Sequence, residues 1–192
     1  MNISRNTLQN KEILISVYDD ATLVVLMLIG IMSDSHDNLS RTREAVSRFN
    51  TENVELVLHA GDIISPFMIG VLKDLNTKMV GVFGNNDGDR VLLEKKCAEY
   101  PHLSFQGTFT RLTAGKTSVG LIHGSDLELL NTLMLSGGFD LLVYGHTHQA
   151  DIRTNGKMLI VNPGEVYGYL TGKSTIAIVN TENRRAEIIS LP

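Results

Sequence analysis

The chain has 192 residues, 43% of them hydrophobic and 20% charged, which suits one α/β domain with a sizeable core. A formal net charge of -4 gives no basis for non-specific nucleic-acid binding, and no base-reading motif is present. The single cysteine, Cys97, excludes an internal disulfide and fits a cytoplasmic protein.

Residues 1–26 stand apart. Ile13 to Val17 and Leu23 to Leu26 are apolar, but Asp19 and Asp20 interrupt them. The unbroken apolar stretch is well short of the roughly 20 residues that a membrane helix needs. No small-residue cleavage site follows, so neither a signal peptide nor a membrane partner is expected. The domain is expected to span residues 27–192, with residues 1–26 an accessory tail or translated upstream sequence from a misassigned start.

Met27 to Ser33 reads as a buried strand, followed by Asp34-Ser35-His36 and a helix over Asn38 to Asn50. Val54 to Ala60 is a second strand, ending in Gly61-Asp62. Ser65-Pro66 opens a helix, with Ser as N-cap and Pro at the first helical position. Lys78 to Phe83 is a third strand, ending in Gly84-Asn85-Asn86-Asp87, and Asp89 to Tyr100 is a helix stopped by Pro101.

The second half reads differently. Leu103 to Thr113 and Thr117 to Ile122 form antiparallel strands, the latter ending in His123-Gly124. Ser125 to Glu128 reads as a capping box, and the helix it opens closes at Gly137-Gly138. Phe139 to Tyr144 is a strand ending in Gly145-His146-Thr147-His148. A hairpin follows over Ile152 to Val161, then a tight turn at Asn162 to Glu165. Ser174 to Asn180 and Arg185 to Leu191 form a last hairpin. Strand–helix alternation followed by hairpins implies two packed sheets with helices outside.

Chemistry gathers at the strand ends: Asp34, His36, Asp62, Asn85, His123, His146 and His148. In open α/β sheets, ligands bind outside the carboxyl ends of the strands. All seven are oxygen or nitrogen donors without a thiolate, which suits Mn, Fe, Zn, Ni or Co better than Mg or Ca. Seven donors exceed one tetrahedral site, so two divalent ions sharing a carboxylate is the economical arrangement. His59 is expected to be a hydrogen-bonded core residue, and Asp37 and Asp87 turn residues. Glu165 is a weaker candidate for supporting a ligand.

Asp34-x-His36, Gly61-Asp62, Gly84-Asn85-Asn86-Asp87, His123-Gly124 and Gly145-His146-Thr147-His148 resemble the five ordered motifs of the calcineurin-like metallophosphoesterase superfamily. The short length and Asn162-Pro163-Gly164 resemble its small YfcE-like phosphodiesterase group. The resemblance implies a four-layer α-β-β-α sandwich with two mixed sheets. It implies a phosphodiesterase that hydrolyses a small phosphate ester by attack of a metal-bridging hydroxide, with Mn or Ni favoured.

By that resemblance Asp34, His36, Asp62 and His148 hold the first ion, and Asp62, Asn85, His123 and His146 the second. Asp62, Asn86 and His123 are the catalytic candidates. Many superfamily members carry His where this chain has Asn86, and an amide delivers no proton at neutral pH. The alternative reading is a non-catalytic protein-binding scaffold of the same fold, like the retromer subunit. Homo-oligomerisation is compatible with either.

Overall fold

The computed structural model describes residues 27–192; the expected tail at residues 1–26 lies outside the described residues. β1 (Leu28–Met32) pairs in parallel with β2 (Leu56–His59), β2 with β3 (Lys78–Gly81), and β3 with β4 (Leu103–Phe105). On its other side β1 pairs antiparallel with β10 (Thr175–Asn180), which pairs with β11 (Arg185–Ser190). The first sheet therefore has the order β11-β10-β1-β2-β3-β4. Its connections run through α1 (Leu39–Thr51), a 3-10 turn at Pro66–Met68 continuing into α2 (Ile69–Leu72), and α3 (Arg90–Cys97).

The second sheet has the order β5-β6-β7-β9-β8, built from Phe109–Ala114, Thr117–Ile122, Leu141–Val143, Met158–Pro163 and Ala150–Asn155 respectively. β6, β7 and β9 run parallel, and both edge strands are antiparallel. α4 (Leu127–Ser136) connects β6 to β7.

Strand alternation sorts the side chains into three apolar layers. Ile29, Ile31, Leu58, Leu121, Val143 and Val161 meet between the sheets. Phe49, Val57, Leu72, Met79 and Leu93 fill the space between the first sheet and α1 to α3. Leu130, Leu142 and Ile160 pack beneath α4 on the far side. The result is the expected four-layer α-β-β-α sandwich with two mixed sheets. Phe49 is wholly buried; a ring so placed contributes about 1.5–3 kcal/mol.

Three local expectations need correction. The single strand expected over Leu103 to Thr113 is two strands in different sheets, β4 and β5. The chain changes sheet at Gly107, whose φ of 61° fits glycine, while the Gly107 carbonyl accepts from Phe83 N at 2.7 Å. Ser65 does not cap by its side chain; its hydroxyl donates to Asp37 Oδ1 at 2.7 Å. α4 is capped by Asp126, whose carboxylate accepts from Leu129 N, rather than by Ser125. A Ser125 cap would take Glu128 N; Asp126 takes Leu129 N instead, so the helix opens one residue later than the capping box implies.

Among the described residues no helix is long and apolar enough to cross a membrane.

Candidate metal centre

The carboxyl ends of β1, β2 and β3 and those of β6 and β7 open onto one rim, where backbone hydrogen bonds tie the loops together. Asp34 N donates to Gly61 O at 3.0 Å and His36 N to Asp62 O at 3.1 Å. Gly145 N donates to His123 O at 2.8 Å, and His146 N crosses between the sheets to Asp34 Oδ2 at 3.0 Å. Of the seven expected ligands, Asp34, His36, Asp62, His146 and His148 have φ between 40° and 67°. Left-handed conformations at residues other than glycine cost about 1–3 kcal/mol each and cluster at functional sites.

The glycines of the motifs keep space for these carboxylates. A Cβ on Gly84 would collide with the Asp62 carboxylate and come within 2.7 Å of Asp62 N. A Cβ on Gly145 would collide with Ser33 Oγ and lie 2.8 Å from Asp34 Oδ2.

Three imidazoles converge on two buried carboxylates. His148 Nε2 lies 3.4 Å from Asp34 Oδ1, and His36 Nε2 lies 3.8 Å from the same oxygen and 3.6 Å from Asp62 Oδ2. His123 Nε2 lies 3.4 Å from Asp62 Oδ2 and 3.1 Å from Asn85 Oδ1. Asp34, His36 and His148 form one group able to hold a cation, and Asp34, Asp62 and His123 a second. The His146 ring belongs to neither group; it stands edge-on to the His123 ring, 5.1 Å away.

Hydrogen bonds on the far sides of two rings fix their tautomers. His123 Nδ1 is 2.8 Å from Ala60 O, which only accepts, so Nδ1 carries the proton in a neutral ring and Nε2 presents a lone pair to the centre. His148 Nδ1 likewise donates to Glu165 Oε2 at 2.8 Å, leaving Nε2 facing Asp34. Asp34 Oδ1 and His36 Nε2 are buried with no hydrogen-bond partner among the described residues. Unpaired buried polar atoms are costly, and a divalent cation between these donors would satisfy them. The residues present therefore fit metal ions.

The electrostatics agree. Burial alone would raise the Asp62 pKa, but His123 and the two donors of Asn86 outweigh it and hold the carboxyl well below the usual carboxylate range. Burial works against protonation of His36 and His123, yet the carboxylates of Asp34 and Asp62 raise both. His146 moves the other way, lowered by burial and by the neighbouring His123.

Four supporting residues complete the rim. Asn86 donates to Asp62 with both its backbone N, at 2.9 Å to Oδ1, and its amide, at 2.6 Å to Oδ2. Asp87, set aside as a turn residue, is a buried staple: its carboxylate accepts from Asp62 N at 3.1 Å, Gly84 N at 2.7 Å and Ile64 N at 2.7 Å. His59 is a core residue as expected, accepting from Gly61 N at Nδ1 and facing Ser35 Oγ at Nε2. Glu165, wholly buried, also accepts from Thr171 N and Oγ1 at 2.6 and 2.8 Å.

A cleft of about 230 Å³ begins at Asn85 and His123 and runs over Phe83 and Ile122 towards Arg90 and Ser125. A larger hollow of about 430 Å³, beside Val46, Asn50 and Val71, lies away from these side chains and carries none of their chemistry.

Two mixed sheets with acid, amide and imidazole donors at their joined rim define a metallophosphoesterase architecture. The chain belongs to the calcineurin-like phosphoesterase superfamily, whose domain matches residues 27–184. A phosphodiesterase of Methanocaldococcus jannaschii is 38% identical over 165 residues, 86% of this chain and 99% of that protein. A probable metallophosphoesterase of Methanothermobacter thermautotrophicus is 36% identical, over 85% of this chain and 92% of that one. A solved archaeal phosphodiesterase superposes with a TM-score of 0.82 at 38% identity, covering 86% of this chain and all of that one. Vps29 of Entamoeba histolytica shares the fold, with a TM-score of 0.61 at 18% identity over 86% of this chain and 100% of its own.

Proposed function

We propose that this chain is a metal-dependent phosphodiesterase. Asp34, His36, Asp62 and His148 would hold one divalent ion and Asp62, Asn85, His123 and His146 the other, with Asp62 common to both sets. The observation that carries the reading is the pair of buried carboxylates faced by Nε2 atoms at 3.4–3.8 Å, with Asp34 Oδ1 and His36 Nε2 left unpartnered among the described residues. Nitrogen and oxygen donors without a thiolate favour Mn or Ni over a hard, all-oxygen cation. Divalent ions held by these residues would supply Lewis acidity towards the phosphoryl oxygens and a more acidic water at neutral pH.

The chain's own residues set the rest. Ala60 O and Glu165 keep the His123 and His148 rings in the ligating tautomer. Asn86 commits one amide hydrogen to Asp62, leaving the second for a phosphoryl oxygen. The cleft beyond Asn85 and His123 accepts one ester group of the substrate.

The test is metal analysis after Mn or Ni loading, followed by a bis(p-nitrophenyl) phosphate assay. Two equivalents of metal per chain and turnover are expected. Asp62→Asn preserves the shape of a residue whose φ is 57° and is expected to lower metal content and turnover together. Metal-loaded wild-type protein that turns over no phosphate ester would favour the scaffold reading.

A further inference from the structure

Four aromatic rings step outward from the centre to the surface. His148 stacks on His36 with centroids 5.1 Å apart, His36 meets Tyr167 at 5.5 Å, and Tyr167 meets Tyr169 at 5.6 Å. The first two rings are candidate ligands. The last, Tyr169, is 78% exposed.

The base of this stair is fixed. Tyr167 N donates to Asp34 O, and Tyr167 O accepts from Asn38 Nδ2, both at 3.0 Å. Glu165 begins the segment and binds Thr171 at its end through both N and Oγ1, so one buried carboxylate pins both ends of the loop. The same carboxylate holds His148. Tyr169 is thus an exposed ring on a preorganised base, continuous with the ligand rings. Preorganisation lowers the entropic cost of stacking a ligand there.

We propose that Tyr167 and Tyr169 form a stacking platform for a planar aromatic ring carried on an ester group of the substrate. This rests on the phosphodiesterase reading and deepens it: the substrates favoured are diesters of an aryl alcohol or of a nucleoside, not simple alkyl diesters. Tyr167, next to the His36 ring, is assigned to a ring attached close to phosphorus, and the more distal Tyr169 to one held off by a ribose. The second geometry uses the exposed face of the stair.

Non-cleavable phosphonates separate binding from turnover. Inhibition constants for methylphosphonate, phenylphosphonate and a nucleoside 5′-methylenephosphonate are measured on the metal-loaded wild-type, Tyr169→Ala and Tyr169→Phe proteins, with Tyr167→Ala as a second probe. The ring-bearing inhibitors are expected to bind wild type about three- to tenfold more tightly than methylphosphonate. Loss of that advantage for the nucleoside arm in Tyr169→Ala, with recovery in Tyr169→Phe, supports the platform with a nucleoside on it. Loss for phenylphosphonate in Tyr167→Ala supports it with an aryl ester. Equal affinity of all three inhibitors for wild type, or an advantage unchanged in both alanine variants, overturns it. Wild-type turnover of bis(p-nitrophenyl) phosphate stands as the separate check on the enzyme reading, so the two can fail independently.

Discussion

His148 Nδ1 and Glu165 Oε2 lie 2.8 Å apart, with the Glu165 side chain wholly buried. His148 and Thr171 hold the Glu165 carboxyl below its usual range against the opposing effect of burial. A carboxylate in this position turns the imidazole so that Nε2 faces Asp34 and makes that nitrogen a stronger donor. Glu165→Gln keeps an accepting oxygen but removes the charge. It is expected to lower metal affinity roughly tenfold while leaving a cooperatively folded protein, read by calorimetric titration of Mn into stripped protein. Unchanged affinity would show that the ring is held without help from the charge.

Gly84 and Gly145 make a steric prediction. Gly84→Ala must displace the Asp62 carboxylate or its backbone, and Gly145→Ala must displace Ser33 or Asp34. Each is expected to destabilise by about 1–3 kcal/mol and to lower metal content. Gly70, within α2, is the control: a Cβ there meets nothing within 4 Å among the described residues. Gly70→Ala is expected to be neutral or to stabilise by up to about 1 kcal/mol. Denaturant midpoints and metal content per chain measure both effects. Full metal occupancy in Gly84→Ala would contradict the close-approach account.

Apolar strands ending in Asp, Asn or His made the parallel core and the ligand candidates legible in the sequence. Runs such as Val57 to Ala60 are buried on both faces, so each strand end is marked by an abrupt change to polar residues. The crossing at Gly107 was hidden because Leu103 to Thr113 alternates acceptably as one strand. Only the pairing of Phe105 with Gly81 and of Phe109 with Ile122 separates the two sheets. The roles of Asp87 and Glu165 depend on amides and rings far away in sequence, such as Ile64 N and His148 Nδ1. Burial of a carboxylate is the signal that marks both, and it emerges only on folding.

His59 predicts a pH dependence of stability. It is wholly buried, and that burial lowers its pKa from 6.5 to about 4, with Asp87 and Asp34 opposing. A lowered folded pKa means that the unfolded chain binds the proton first. The stabilisation is complete above pH 6.5 and is lost as pH falls towards 4, at up to about 1.4 kcal/mol per pH unit. The raised pKa values of His36 and His123 act with the opposite sign, stabilising at low pH and fading as pH rises. The measurement is therefore the difference between wild type and His59→Gln, both metal-stripped, in urea midpoints from pH 7 to pH 4. The gap between the two is expected to shift against wild type as the solution is acidified. Parallel curves would mean that His59 is not held neutral.

Asn86 sets the last expectation. Its amide is bound to Asp62 at 2.6 Å, and neither it nor the backbone N beside it can transfer a proton to a departing alkoxide at neutral pH. General acid catalysis is worth about 10²–10⁴-fold, so its absence from this position should appear as a steep dependence of kcat/KM on leaving-group pKa. Aryl diesters should be cleaved readily and alkyl diesters slowly. Asn86→His supplies an imidazole but removes the amide bond to Asp62, leaving the backbone donor to Oδ1. It is expected to flatten the slope while weakening metal binding, two effects separated by measuring rates at saturating metal. Asn86→Ala removes the amide without adding an acid, so it should weaken metal binding and keep the steep slope. A graded series of diesters measured with the three proteins decides the matter. A shallow slope in wild type would mean that a group other than Asn86 donates the proton.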